Sequence, residues 1–327
     1  MKNRFEHRVF VIDKAPGPSS FDVVAAMRRT TGLRKVGHAG TLDPLARGVL
    51  LVCTGLATRA VEHFMDLEKE YHFDVRLGVE TATLDAEGPV LREAPVPDLT
   101  LEQLRDAAAS FVGDYLLTPP VFSALKHKGR RYYELARAGE VSEATEAAAP
   151  RQVKIYSFDV SGADGPIVHC VVRCSRGTYV RSLARDFGEK LGLPASIATL
   201  TRTRIGAFSL DGANPSEALV PARADELTGL SLDDALAFLP GVVLEARAAR
   251  ELRFGGLPLR QDVIETIGSP RAGAMRLMDE TRVLIAVGYR DGDRPRDPLR
   301  VCDSFRMCVD TPAAEGTPAG RRPMGQP

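Results

Sequence analysis

Hydrophobic and polar positions along this chain keep no single period. Alternation of the kind that marks a half-buried strand recurs over His7–Ile12, Tyr71–Leu77, Val153–Val160, Ile167–Cys174 and Arg202–Leu210. One solid apolar run, Val49–Cys53, reads as a fully buried strand bounded by Gly48 and Gly55. Helical signals intervene. Ser19 followed by Asp22 predicts a capped helix through Thr31, closed by Gly32; Thr100 with Gln103 predicts another to about Val112; Thr178–Leu191 reads as an amphipathic helix capped by Thr178 and ended by Gly192. Gly78–Gly88 (GVETATLDAEG) reads as a polar loop, and Gly162–Gly165 as the turn joining two paired strands. Strands and helices interleave without a regular βαβ period, which predicts an α+β domain built on a mixed or antiparallel sheet.

The pattern changes near Asp233–Gly241. Beyond it short strands dominate, at Val242–Leu244, Asp262–Thr266, Met275–Met278 and Val283–Tyr289, a spacing that suits a small β-barrel-like module. From Thr311 the chain is rich in Pro and Gly with nothing to bury, and disorder is expected. The expected division is a main domain over 1–238, a β-rich module over 239–310 and a tail over 311–327. Lys126–Gln152 is basic, then Ala/Glu-rich, and poor in large aliphatics; it reads as a protruding insertion with some helix at Tyr132–Ala138.

A chain of 327 residues, 44% hydrophobic and 26% charged, fits a soluble globular protein of about two domains. No apolar run reaches the roughly 18 residues of a membrane span, and no signal-peptide core follows the charged N-terminus, so a cytoplasmic location is expected. Cys53, Cys170, Cys174, Cys302 and Cys308 sit mostly in apolar segments and read as reduced structural thiols. His169, Cys170 and Cys174 alternate along a strand and lack a second pair, so no metal is expected. Lys plus Arg equals Asp plus Glu at 43 each, which excludes nucleic-acid binding by bulk charge alone. Distribution changes that picture. Basic clusters at Arg28, Arg29, Arg34, Lys35, at Lys126, Lys128, Arg130, Arg131, and at Arg247, Arg250, Arg253, Arg260 stand apart from acidic ones at Glu62–Glu70 and Glu140–Glu146, which permits a basic face on a neutral protein.

Candidate chemistry concentrates in Gly37–Gly55 (GHAGTLDPLARGVLLVCTG). Asp43 precedes Pro44, which biases it away from helical geometry onto a bent loop, and glycines at 37, 40 and 48 permit close approach or positive φ. Asp43 is either a catalytic carboxylate or a turn residue capping backbone amides. A second stretch, Cys174–Gly192, carries Arg181. Its guanidinium either forms a two-pronged pair with a carboxylate from another element, keeping it ionised and aimed, or pairs with Asp186 on the surface. Ser123-Ala-Leu-Lys126 matches the S-x-x-K of penicillin-binding enzymes, but neither K-T-G nor S-D-N accompanies it. Phosphate-loop and dinucleotide fingerprints are absent, which leaves nucleotide cofactors unsupported.

Gly37-His-Ala-Gly-Thr-Leu-Asp-Pro-Leu-Ala-Arg-Gly48 closely resembles the signature of bacterial TruB-type tRNA pseudouridine synthases, the uridine-55 enzymes of the TΨC loop. The likeness extends in the family's order through Asp13-Lys14 with Gly17 and Ser19-Ser20, Lys69-Glu-Tyr71, Leu77-Gly78 with Thr83 and Asp85, Pro119-Pro120 with Ser123 to Lys126, Gly129 and Tyr133, Arg176-Gly-Thr-Tyr179-Val-Arg181, and Leu200-Thr-Arg202-Thr203. The later segment is similar to that family's PUA-type RNA-binding module. The resemblance implies a base-flipping isomerase that needs no cofactor, protein partner or metal and acts on tRNA as a monomer. It implies that Asp43 is the catalytic aspartate, Arg181 its ion-pair partner and Tyr71 the tyrosine against the target base. It further implies that His38 fills the stack left by the flipped nucleotides, that Leu200 lines the pocket, and that Tyr179 and Lys14 bind substrate. Lys126–Gln152 becomes an RNA-gripping insertion. Departures are Ala15 where a proline is common, Leu117 where a glutamine often stands, and a longer stretch at Val141–Pro150. The nearest alternatives are a guide-RNA-dependent relative and an RNA-binding or RNA-folding protein with secondary chemistry.

Overall fold

The structure, a computed structural model, describes residues 3–120, 122, 126–127, 130–131, 149–268, 273–290 and 299–306. Ser123 of the S-x-x-K match, Tyr133, the helix expected at 132–138 and the tail from 311 lie outside the described residues. The chain divides into two compact units, Met1–Leu230 and Ser231–Pro327.

The first unit is built on one mixed sheet. The strands of the unit include β1 (Arg8–Lys14), β2 (Val36–Ala39), β3 (Arg47–Thr54), β4 (Lys69–Leu77), β5 (Val79–Thr81), β6 (Val90–Glu93), β7 (Gly113–Leu117), β8 (Arg151–Asp164), β9 (Ile167–Cys174), β10 (Ala195–Ile205), β11 (Phe208–Ser209) and β12 (Asn214–Pro215). The sheet order is β12-β1-β3-β10-β4-β9-β8-β7, with β2 beside β3 and β11 beside β10; β5 and β6 form a separate hairpin. Pairing is antiparallel except at β1–β12 and β3–β10. Helices α1 (Ser20–Thr31), α2 (Val61–Met65), α3 (Leu101–Ala109) and α4 (Val180–Lys190) connect them. Alternate residues of β4, Tyr71, Phe73, Val75 and Leu77, join Val23, Val24 and Met27 of α1, Leu104 and Ala108 of α3, and Leu183 and Phe187 of α4 in one hydrophobic cluster. The intervening β4 residues His72, Asp74 and Arg76 stay partly or fully exposed, as a period of two requires.

Local chemistry explains the helix ends. Ser19 and Asp22 form the capping box of α1, and Gly32 closes it in the left-handed conformation at φ 70°. Thr100 and Gln103 do the same at the start of α3. Four expectations are corrected. Thr178 does not cap α4; Tyr179 occupies that position, and the Thr178 hydroxyl donates instead to Ser175 O at 3.0 Å. Gly78–Gly88 is not all loop, because Val79–Thr81 pairs with Val90–Glu93. Gly37 lies in β2 with no positive φ, whereas Gly40 and Gly48 stand at 92° and 105°. The strand expected at Arg202–Leu210 is β10, which starts at Ala195 and turns at Gly206 into β11. Its first half, Ala195-Ser-Ile-Ala-Thr, sets two alanines and a serine around the strand formers Ile197 and Thr199, and it pairs along β4 from Ala195↔Leu77 to Ile205↔Lys69.

The second unit carries α5 (Leu232–Ala235), β13 (Gly241–Leu244), α6 (Ala246–Arg253), β14 (Val263–Ile267), β15 (Ala274–Met278), β16 (Leu284–Arg290) and β17 (Leu299–Arg306), in the sheet order β14-β13-β15-β16-β17. Its own core joins Val242, Leu244, Ala248, Ala249, Leu252, Met275, Leu277 and Ile285. By its contacts this unit begins at Ser231, seven residues before the expected division at 238. Arg276 ties residues 231–239 in, its Nη1 3.1 Å from Asp233 Oδ1 and its Nε donating to Leu239 O at 3.2 Å. Among the described residues no helix is long and apolar enough to cross a membrane.

Candidate active site

The loop between β2 and β3 is fixed from two sides. Gly40 enters it at φ 92°, a conformation that a side chain would disfavour. From α1, Ser20 Oγ donates to Leu42 O at 3.1 Å and accepts from Leu42 N at 2.8 Å. From β1, the Lys14 ammonium donates to Ala15 O, Pro44 O and Ala46 O at 2.9, 3.1 and 2.7 Å. Lys14, expected among the substrate-contacting residues, stands beneath the loop as its support. It is fully buried, its three donors are all engaged, and burial lowers its pKa to about 8 against the opposing pull of Asp43.

This clamp leaves the Asp43 side chain one-third exposed, at 32%, facing Arg181 in the first turn of α4. Arg181 Nη2 donates to Asp43 Oδ1 at 3.0 Å, while Nε stands 2.9 Å from Oδ2 but off the hydrogen-bond line. Arg181 is 5% exposed and held in turn by Thr83 O at 2.8 Å and Phe122 O at 3.0 Å, with buried Asp85 Oδ2 at 3.7 Å. Asp85 is itself set by Thr83 Oγ1 and by Glu87 N at 3.1 Å. Of the two pairings open to Arg181, the structure contains the one with Asp43; Asp186 is taken by Arg185 and by the Tyr115 hydroxyl at 2.9 Å.

Above the pair lies a cleft of about 370 Å³ lined by Gly40–Asp43, Lys69, Tyr71, Ser175–Arg181, Leu200 and Arg202, among others. It thus gathers Asp43, Arg181, Tyr71, Tyr179 and Leu200 from four separate stretches of sequence. Tyr71 and Leu200 come from neighbouring strands, β4 and β10, and Tyr179 from the turn into α4. Burial raises the Tyr71 phenol pKa, so the hydroxyl stays protonated at neutral pH. His38 does not line this cleft. It sits on β2 opposite Val52, edge-on to Phe21 with ring centroids 5.4 Å apart, and its buried Nδ1 has no hydrogen-bond partner. Burial and then Arg202 lower the imidazole pKa, which makes it a neutral ring at physiological pH.

Two contributors carry no assigned role in the sequence reading, although both fall in quoted motifs: Asp85, behind Arg181, and Arg202, on the cleft floor. The available signal for Arg202 was Gly48. A Cβ there would come within 2.3 Å of Arg202 O, so β3 and β10 require glycine to meet. A larger cleft of about 640 Å³ lies beside Tyr115, Arg185, Asp186 and Glu189, where the charges are closed on one another. Cys53, Cys170 and Cys174 are buried free thiols; burial lifts Cys53 and Cys174 to about 12. His169 faces away from Cys170, with Asp74 Oδ1 at 2.7 Å and Asp164 Oδ2 at 3.1 Å.

The model of the TruB family pseudouridylate synthase N-terminal domain matches residues 28–180. The chain is 44% identical over 261 residues to tRNA pseudouridine synthase B of Ralstonia pickettii, covering 78% of this chain and 80% of that one. It is 38% identical over 302 residues to the protein of the same name from Aromatoleum aromaticum, covering 92% and 94%. A solved Cbf5-Nop10-Gar1 complex contains a chain with the same fold, at a TM-score of 0.72 and 24% identity over 93% of this chain and 86% of that one. With the family model covering the loop that carries Asp43, and relatives up to 44% identical over most of the chain, the chain belongs to the TruB family of pseudouridylate synthases.

Proposed function

We propose that this protein converts uridine to pseudouridine at position 55 of the tRNA TΨC loop, with Asp43 as the catalytic carboxylate. The observation that carries the reading is the Asp43–Arg181 pair at the base of a cleft walled by Tyr71, Tyr179 and Leu200. Isomerisation breaks the N1–C1′ bond, turns the uracil over and joins C5 to C1′, which asks for one well-aimed carboxylate. Asp43 either attacks C1′ or removes a proton from C2′ to give a glycal. The atoms involved are hidden in a folded loop, so the base must first be extruded into a pocket and read by stacking and edge contacts. Tyr71 supplies a ring and hydroxyl for that base, Leu200 and Tyr179 its walls, and His38 a neutral ring to occupy the vacated stack. Lys14 acts indirectly by holding the Asp43 loop. The second unit would serve as a PUA-like RNA contact away from the reacting uridine. The relatives named tRNA pseudouridine synthase B favour a stand-alone enzyme on tRNA over a guide-RNA-dependent one. Tritium release from C5-labelled uridine in tRNA, compared between the wild type and Asp43→Asn, tests the reading; a variant that retains wild-type release would overturn it.

A further inference from the structure

Among the described residues Arg202 is one of the largest fully buried side chains, at 1% exposed, yet it lines the cleft. Its Nε donates to Val49 O at 2.8 Å and its Nη2 to Gly40 O at 3.0 Å. Nη1 reaches only Thr41 O and the Tyr71 hydroxyl, both at 3.5 Å, the outer limit of a hydrogen bond. That leaves Nη1 with donor capacity beside Tyr71. A Cβ at Gly40 would stand 3.6 Å from this same nitrogen, so the glycine also keeps its loop side open. Among the described residues no carboxylate pairs with Arg202, whereas the charge of Arg181 is met by Asp43 and by Asp85. A desolvated guanidinium compensated by carbonyl dipoles alone is costly. Holding loop carbonyls does not require a full charge; meeting a developing anion does.

We infer that Arg202 is a further catalytic group: through Nη1 it fixes the Tyr71 hydroxyl and stabilises the uracil anion released when the N1–C1′ bond breaks. The inference rests on the proposed function. In either route the electron pair of N1–C1′ leaves with the base and spreads over N1 and the ring carbonyl oxygens. An Asp43 oxygen bonds to C1′, or the C2′ proton passes to Asp43, to be returned later. After the base turns over, C5 gives an electron pair back to C1′, Asp43 is released, and the C5 proton departs to solvent while N1 takes up a proton. A fixed, dehydrated cation at the cleft floor stabilises the anionic stage without reorganising.

The test compares Arg202→Gln and Arg202→Lys, each alone and combined with Tyr71→Phe, by tRNA affinity and by single-turnover rate from pH 6 to 9. Circular dichroism and thermal melting check the fold of each variant. Arg202→Gln is expected to lower the single-turnover rate by about a hundredfold with affinity little changed. Arg202→Lys, which keeps the charge, is expected to recover a substantial part. The loss from Arg202→Gln should be clearly smaller in the Tyr71→Phe background, because half of the interaction is already gone. A wild-type rate for Arg202→Gln would overturn the inference, as would equal losses for the Gln and Lys variants that add fully to Tyr71→Phe, the mark of a mere scaffold. Should Arg202→Gln fail to fold, the Lys variant decides: a rate at least about tenfold below wild type but measurable, and less than additive with Tyr71→Phe, supports the role. An undiminished or fully additive rate overturns it. Tritium release by Asp43→Asn separates the two failures, since an inert Asp43→Asn beside an undiminished Arg202→Gln removes the inference and leaves the proposed function standing.

Discussion

The arginines of the first unit's cleft and those of α6 in the second unit look alike in composition and differ in what they can do. Arg181 and Arg202 are 5% and 1% exposed, each locked by several oxygens from separate elements. On α6, Arg247 is 60% exposed and spread over Glu245, Glu251 and Asp262 at 2.9 to 3.1 Å, and Arg253 meets Asp279 at 2.6 Å. Among the described residues no carboxylate pairs with exposed Arg250. Arg247, Arg250 and Arg253 therefore do not act as one pool of free charge for phosphates. Exposed pairs such as those of Arg247 contribute little and exchange partners at little cost, whereas buried, multiply held arginines have one geometry. Position, and not the number of charges, separates an aimed group from a solvated one.

The sharpest break of this comparison is at the aimed end. Asp43→Asn is expected to lower turnover on the order of a thousandfold or more while tRNA affinity is retained, since the amide is nearly isosteric but is neither nucleophile nor base. Residual activity within about tenfold of wild type, by tritium release, would count against the assignment. Arg181→Lys should follow with a loss of about ten- to a hundredfold, because an ammonium cannot serve Asp43 and the Thr83 and Phe122 carbonyls together. Equal rates for this variant and the wild type would mean that the fork is not needed.

Weaker effects are expected where the site is held indirectly. Gly48→Ala combines a left-handed φ with a Cβ 2.3 Å from Arg202 O, and should cost about 2 kcal/mol or more, read as a lowered Tm. An unchanged melting curve would show that β3 and β10 part easily. At the solvated end, Arg250→Gln should reduce the slope of log affinity for tRNA against log salt by up to about one, and Arg247→Gln by less, because its carboxylates already hold it. Identical slopes for both variants would erase the distinction drawn between them. The smallest effect concerns His38. Its native pKa lies below the ordinary 6.5, so as pH falls through 6.5 the unfolded chain takes up a proton that the native state resists, and stability is lost between 6.5 and the native value. In His38→Gln that loss should shrink, giving a flatter acid limb in a plot of Tm against pH.

What the residues determined by themselves was local. The capping boxes at Ser19–Asp22 and Thr100–Gln103 need only neighbours three apart, and the alternation of β4 needs only a sheet face to bury. In the second unit the four strands expected lie within a residue or so of β13 to β16, whereas α6 went unread because its apolar Ala248, Ala249 and Leu252 are small or masked by three arginines. Asp43 and Arg181 were legible as candidates, each with a bland alternative, because a bent Asp-Pro loop and a helix-start arginine are common. Only the tertiary structure chose between the two pairings open to Arg181. It set α4 so that Arg181 meets a carboxylate 138 residues away, sealed Lys14 beneath the loop, and drew Arg202 to the cleft floor through the pairing of β10 with both β3 and β4. Capping and alternation are decided within a few bonds. A guanidinium's partner depends instead on which distant element is brought near it, and that is decided when the sheet closes and water leaves the cleft.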